Sequence, residues 1–511
     1  MLRPWRRMAV LVGSIVLVAA APAAAVGAGA APDAPMRLAA PAPVVEDPAP
    51  TGPDCTTTPS TTRPGYSVAD PRCVYLGGSY PGARFTPLTD EAGQALTRTY
   101  TGIVGGAGYR IEVPERWNGD LVLWAHGYRG TGTTVYVDDP ILRAYFIERG
   151  FAWAASSFAT NGYDVGQGVR DSHALIDLFR GKVRPARSVY MAGASMGGHV
   201  TAVAIERYRG DFAAAMPVCG VLGDKELFDY FLDANVTAAA LTDSPIEFPA
   251  SLAAGQAYLP TYRTQVLAEL PELGSGFAAG NPAGISLTPL GQAWAGTVQQ
   301  RSGGTRPGFA SAFAYWSSFG FAPLTDVPFL FGLYPGLSGG TIGIADGNVT
   351  DNRRTVYRIE DGYGPLTAAE QALNRAVLRV GPTAAASPGL DGIPKVFGDP
   401  RIPVLSLHDV GDLFVPFRME QVYAARVAWH GQSRLFVSRV IRGVGHCDFT
   451  QAELQTGFSD LVSWVRHRSR PAGDRVLDPR AVAAPTFGCR FTDPAAGSHV
   501  GFVAAQACPA A

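Results

Sequence analysis

Ser188-Val189-Tyr190-Met191-Ala192-Gly193-Ala194-Ser195-Met196-Gly197-Gly198-His199-Val200 is the stretch on which the fold turns. The apolar run Val189 to Ala192 predicts a buried strand. Val200, Val203 and Ala204 then fall on one side of a helix that starts at once. Ser195 stands at the corner, with Gly193 and Gly197 two positions away on either side. A strand that becomes a helix so abruptly leaves little room for side chains at the flanks. The spacing therefore predicts a serine hydroxyl held above a sheet edge, at a helix N-terminus. The alternative is an ordinary glycine-rich strand-to-helix turn, in a chain that holds 60 glycines.

Outward from this corner, strands and helices alternate. Tyr109 to Val113 and Leu121 to Ala125 read as strands, the second ending at His126-Gly127-Tyr128-Arg129-Gly130. Such a glycine-bearing end suits a backbone that approaches a ligand closely. Asp139 to Arg149 reads as a helix, Phe151 to Ser156 as a strand, and Arg170 to Arg180 as a helix with Leu175, Ile176 and Phe179 inward. After the serine corner, Phe212 to Val218 is a further strand. Alternation on this scale predicts an α/β fold with a mostly parallel sheet and helices on both faces.

The alternation breaks near Gly220. Residues 225–399 are irregular, with helical patches at Glu226–Leu232, Thr261–Leu270 and Leu366–Val380, and are too long for a loop. They predict an inserted cap or lid. Its aromatics Phe309, Phe313, Tyr315, Trp316, Phe319, Phe321, Phe329, Phe331 and Tyr334 either line an apolar pocket or form the insertion's own core, and the core reading is favoured for most. Strands resume at Ile402–Leu407 and Leu435–Ile441, with helices at Met419–Trp429 and Gln451–Val465. The expected organisation is a core of 74–224 and 400–468, split by 225–399, and a tail, 469–511, carrying a cysteine loop.

The N-terminus reads as a secretory leader over residues 1–25. Arg3, Arg6 and Arg7 precede the apolar run Met8 to Ala20, and Ala23-Ala24-Ala25 offers a cleavage site. No cysteine lies near that cut for a lipid anchor. Residues 26–73, rich in Ala, Pro and Thr, read as a flexible segment. A net charge of −1 over 511 residues gives no basic footprint for nucleic acid, and no later apolar run is long enough for a membrane span. The expectation is a secreted protein without a membrane anchor. Its six cysteines suit an oxidising compartment. They allow about fifteen pairings. Proximity favours Cys55–Cys73 and Cys489–Cys508, which leaves Cys219 with Cys447. No nucleotide-binding loop, zinc spacing or dinucleotide fingerprint is present, so neither a metal nor a cofactor is expected. The sequence carries no marker of oligomeric state.

A serine hydroxyl needs a base within reach, and the base needs an orienting carboxylate. Asp412 and His446 each follow a predicted strand, so parallel strands deliver both to the edge that holds Ser195. Asp409 is the second candidate acid. His173, His408, His430, His467 and His499 lack the glycine-bounded loop of His446. His126 and His199 read as structural, and Asp448 as a cap or loop residue.

In motif and order the chain resembles the α/β-hydrolases. Gly193-Ala194-Ser195-Met196-Gly197 matches the nucleophile turn, Gly411-Asp412-Leu413-Phe414-Val415-Pro416 the acid loop, Gly445-His446 the histidine loop, and His126-Gly127 the oxyanion loop. The likeness covers about residues 105–220 and 400–467. It implies a Ser195–His446–Asp412 triad, an oxyanion hole built from the backbone N–H groups of Met196 and Tyr128, and substrate contacts at Tyr128 and Phe414. The chain is also similar to tannases and feruloyl esterases in placing a cysteine, Cys447, directly after the histidine. Their partner cysteine precedes the serine, where this chain has Ala194. A Cys219–Cys447 bridge pinning the histidine loop is the expectation. The function implied is hydrolysis of a small or polymeric ester through an acyl-enzyme. Runners-up are a prolyl-oligopeptidase-like peptidase, for which Glu247, Asp326 or Asp346 would bind a free amine, an acyltransferase, and a non-catalytic binding module.

Overall fold

Eight apolar segments pair into one sheet in the computed structural model, which describes residues 54–75, 82–248, 252–321, 324–332, 348–360, 362–383, 392–493, 499 and 508. The predicted leader, Tyr334 and Asp346 lie outside the described residues. The strands of this sheet are β1 (Thr97–Val104), β2 (Ala107–Pro114), β3 (Asp120–Ala125), β4 (Ala152–Ser156), β5 (Ser188–Ala194), β6 (Ala214–Val218), β7 (Val404–Asp409) and β8 (Phe436–Ile441). Their spatial order is β1-β2-β4-β3-β5-β6-β7-β8. β1 and β2 are antiparallel, as are β2 and β4, and every pair from β4 to β8 is parallel. This is the α/β-hydrolase fold. In β3, Leu121, Val122 and Leu123 are wholly buried, each adding about 1.5–3 kcal/mol by leaving water. A strand covered on both faces is apolar without alternation, and for that reason it was readable.

Helices α1 (Arg143–Glu148), α2 (Val165–Lys182) and α3 (Met196–Arg207) connect the first strands. α2 starts earlier than the apolar periodicity implied, because Asp164 caps it by accepting from the Gln167 N–H. Between β6 and β7 come α4 (Glu226–Leu241), α5 (Leu252–Leu273), α6 (Pro289–Arg301), α7 (Phe309–Ser317), α8 (Phe329–Gly332) and α9 (Ala368–Ala376). The Trp294 indole donates to the Ala234 carbonyl at 2.9 Å, and Asp233 pairs with Arg301 while accepting from the Tyr357 hydroxyl. These bonds tie α4 to α6. Phe309, Phe313, Trp316, Phe329 and Phe331 are buried, whereas Tyr315, Phe319 and Phe321 are only partly covered. α10 (Arg418–Trp429) and α11 (Gln451–His467) complete the core, α11 under a Thr450/Glu453 capping box.

Two segments are more ordered than their composition suggests. Thr57–Pro59 and Ser67–Ala69 form strands, and Val68 is fully buried. The Cys55–Cys73 disulfide closes this segment, and the buried Arg110 binds the carbonyls of Pro71 and Cys73. After α11, Val476, Val482 and Phe487 join the main core, and Arg442 donates to the Phe487 carbonyl at 2.7 Å. No helix among the described residues is long and apolar enough to cross a membrane.

Candidate active site

The serine turn forms because two positions carry no side chain. A β-carbon on Gly193 would lie 2.3 Å from the Gly197 carbonyl oxygen, and one on Gly197 would lie 2.1 Å from that of Ala125. Ser195 adopts φ 59° and ψ −121°. Such backbone strain in a residue with a β-carbon costs about 1–3 kcal/mol and persists only where the surroundings impose it. Here the Ser195 N–H donates to the Val218 carbonyl at 3.1 Å, and the Ser195 carbonyl accepts from Gly198 at 2.9 Å. Ala194 is buried and Ser195 half-buried. Although Ser195 occupies the cap position of α3, its side chain makes no capping bond. Gly127, two residues beyond β3, lies beside it: a β-carbon there would be 3.8 Å from the Ser195 hydroxyl oxygen.

At the same edge, β7 and β8 deliver the other two groups. His446 Nδ1 lies 2.6 Å from Asp412 Oδ2. Asp412 is wholly buried, and its Oδ1 accepts from the N–H groups of Phe414 at 2.8 Å and Val415 at 3.0 Å. With both oxygens held, this carboxylate has one orientation to offer the imidazole. Asp409, the competing acid, makes no bond to His446. Its Oδ2 accepts from the Asp448 N–H at 2.9 Å, and its Oδ1 has no partner among the described residues. Burial, and then the charges of Asp412 and Asp448, push the Asp409 carboxyl well above the ordinary range. Asp448 caps no helix; Thr450 takes that place in front of α11.

The remaining histidines have other partners. His126 contacts the carbonyls of Gly127 and Ser157 and stacks on Phe158; burial, helped by Arg129, keeps it well below the usual imidazole range. His199 bridges the Tyr163 hydroxyl and the Pro394 carbonyl, and burial lowers it to about 4. His173 faces Asp211, while His430 and His467 are exposed. His408 is buried beneath the acid loop. Its Nε2 donates to the Val415 carbonyl at 2.8 Å, and its Nδ1 is 3.4 Å from Glu420. The pairing with Glu420 outweighs burial and raises His408. No motif marks this second His–carboxylate pair, because its carboxylate arrives from α10.

Phe414 packs on the His446 ring at 4.9 Å between centroids and on Phe321 and Phe329 at 5.7 and 5.1 Å. Burial raises the Tyr128 phenol to about 12, and among the described residues it has no hydrogen-bond partner. Met196, the other residue named for the oxyanion hole, is the first residue of α3 and is buried. All three cysteine pairs are disulfides: Cys55–Cys73, Cys219–Cys447 and Cys489–Cys508. Cys219–Cys447 joins the end of β6 to the histidine loop, and its Cys447 sulfur lies 3.6 Å from His446 Nε2. Asp326, considered as an amine ligand, is engaged by Arg263 at the surface.

No family model matches the chain. An o-phthalyl amidase from Xanthobacter agilis is 23% identical over 401 residues, which is 70% of this chain and 85% of that protein. Among solved structures, feruloyl esterase B from Aspergillus oryzae aligns over 76% of this chain and 83% of its own, with 16% identity and a TM-score of 0.40. Tannin acyl hydrolase from Aspergillus niger aligns over 73% of this chain and 79% of its own, with 14% identity and a TM-score of 0.41.

Proposed function

We propose that this chain is a secreted serine hydrolase that cleaves a carboxylic ester through an acyl-enzyme. The observation that carries the reading is the 2.6 Å contact of His446 with Asp412, at the sheet edge where Ser195 is held in a strained turn. Ser195 Oγ attacks the substrate carbonyl carbon as its proton passes to His446 Nε2. Asp412 keeps the opposite nitrogen protonated and stabilises the imidazolium that forms. The negative oxygen of the tetrahedral intermediate is met by the backbone N–H groups of Met196 and Tyr128. Collapse expels the alcohol, which takes the proton from His446, and water then repeats the sequence on the acyl-enzyme.

Phe414, packed on His446, and Phe321 beside it, both partly exposed, favour an aromatic or branched apolar group beside the scissile carbonyl. Tyr128, partly exposed beyond the end of β3, is a further candidate contact for that group. Three disulfides and the leader-like N-terminus support secretion. A second reading, amide hydrolysis, is favoured by the o-phthalyl amidase relative. It uses the same steps with an amine leaving group.

A fluorophosphonate probe tests the reading. Labelling of Ser195 in the wild type and its loss in Ser195→Ala are expected; an unlabelled wild type would leave a binding module on this fold. A panel of p-nitrophenyl esters beside phthalyl amides and aminoacyl-anilides then separates ester from amide chemistry.

A further inference from the structure

The Asp412 and His446 loops lie side by side, and a side chain from the 225–399 segment lies across the join. Trp316, in the last turn of α7, is 4% exposed. Its indole N–H faces two carbonyl oxygens, that of Val444 at 2.8 Å and that of Gly411 at 3.2 Å. Gly411 directly precedes Asp412, and Val444 lies two residues before His446. One donor therefore touches the backbone of both loops. The loops also bond each other, from the Gly411 N–H to the Gly443 carbonyl at 3.0 Å. Further bonds run from the Val410 N–H to the Ile441 carbonyl at 2.8 Å and from the Asp448 N–H to Asp409 Oδ2 at 2.9 Å, and the Trp316 donor adds a restraint from outside both loops.

Neighbouring contacts point the same way. Arg306, just before α7, is buried and donates from Nε to the Val410 carbonyl at 2.7 Å. Ala312, one turn before Trp316, packs on Val444. The Trp316 ring lies 6.3 Å from that of Phe414, the side chain that covers His446. A buried indole N–H needs an acceptor. An acceptor within the inserted segment would have satisfied folding equally, as Trp294 shows by donating to Ala234. Trp316 instead ends on the two loops that carry the acid and the base.

We propose that Trp316 is a positioning residue, whose indole N–H sets the spacing and tilt of the Asp412 and His446 loops, so that the inserted segment is part of the apparatus that orients the base. The inference rests on the hydrolase reading above. Misplacing a reacting group by about 1 Å costs up to about 100-fold in rate. Losing one of several restraints is expected to cost less, about tenfold.

The test is Trp316→Phe, which keeps an aromatic ring and removes the donor, assayed on p-nitrophenyl acetate and with the fluorophosphonate probe. The expected result is a kcat lowered about tenfold with KM held within about twofold, and a labelling rate of Ser195 lowered by the same factor. Phe313→Leu is the packing control. Phe313 is buried on the same helix, against Trp294 and Phe309. It is expected to lower the thermal midpoint and leave kcat near wild type. Should Trp316→Phe not fold, benzothienylalanine at position 316 keeps the indole's shape with sulfur in place of N–H, and the same loss is expected. Wild-type kcat in either 316 variant overturns the proposal. So does an equal kcat loss in Phe313→Leu at equal loss of midpoint. A wild type that the probe does not label at Ser195 overturns the hydrolase reading, and this inference with it.

Discussion

Asp409 and Asp412 lie three positions apart, both wholly buried, yet their surroundings give them opposite tasks. Asp412 is bonded at both oxygens, to two backbone N–H groups and to His446. Asp409 accepts one bond, from the Asp448 N–H, and burial and its neighbours' charges raise its carboxyl. Replacing Asp412 with Asn should lower kcat about 10⁴-fold, because the amide favours the wrong imidazole tautomer. Asp409→Asn keeps an acceptor oxygen for the Asp448 N–H and touches no bond of His446, and should leave kcat within about threefold. Steady-state rates of the two variants, side by side, check both. The sequence showed both carboxylates in one loop, and the spacing to Val415-Pro416 favoured Asp412. The bonding that separates the two arises only once β7 and β8 pair. The same holds for His408: it reads as an unremarkable loop histidine until α10 brings Glu420 beneath it.

At the level of elements, α11 and the chain after it hold the histidine loop from outside. His499 Nδ1 bonds the Asp448 carbonyl at 2.6 Å, and its Nε2 lies 3.1 Å from Glu453. Burial opposes the imidazolium, but the bonds to Asp448 and Glu453 win and raise His499 to about 10. A raised histidine pKa means that the charged form belongs to the folded state. Its stabilisation is complete below about pH 6.5, the unfolded value, and is lost as pH rises through about 10. His499→Gln should therefore lower the thermal midpoint most at pH 6 and match the wild type at pH 10.5. A gap that stays constant with pH would show that His499 does not act through its charge. The composition of residues 469–511 gave no sign of this docking, because proline- and alanine-rich chain is also what a loose tail looks like. Helices were legible where their apolar faces repeat. The start of α2 was not, because its cap depends on the single side chain of Asp164, whereas α11 begins at Gln451 as its sequence predicts.

Across the whole molecule, the parallel strands were readable as apolar runs, but their order in the sheet was not, since it arises from long-range pairing. β1, Thr97–Val104, escaped the reading, since its Thr-Arg-Thr-Tyr start has the polarity of an edge strand exposed on one side. The Cys219–Cys447 bridge spans 228 residues and ties the end of β6 to the loop after β8. Closing so long a loop in the unfolded chain is worth about 5 kcal/mol in the chain-entropy model, against about 3 kcal/mol for the short Cys55–Cys73 loop. The double variant Cys219→Ser/Cys447→Ser should thus lose more stability to urea than Cys55→Ser/Cys73→Ser. Because it frees the residue next to His446, it should also lose activity that the other pair retains. The central claim is that Ser195 forms a covalent bond to the acyl group. Acid quench of the wild type during turnover of a p-nitrophenyl ester, followed by peptide mass spectrometry, measures this directly. The expected result is the mass of the acyl group on the peptide containing Ser195, absent in His446→Ala. Undiminished turnover in Ser195→Ala, with the acyl group on another residue or on none, would contradict it.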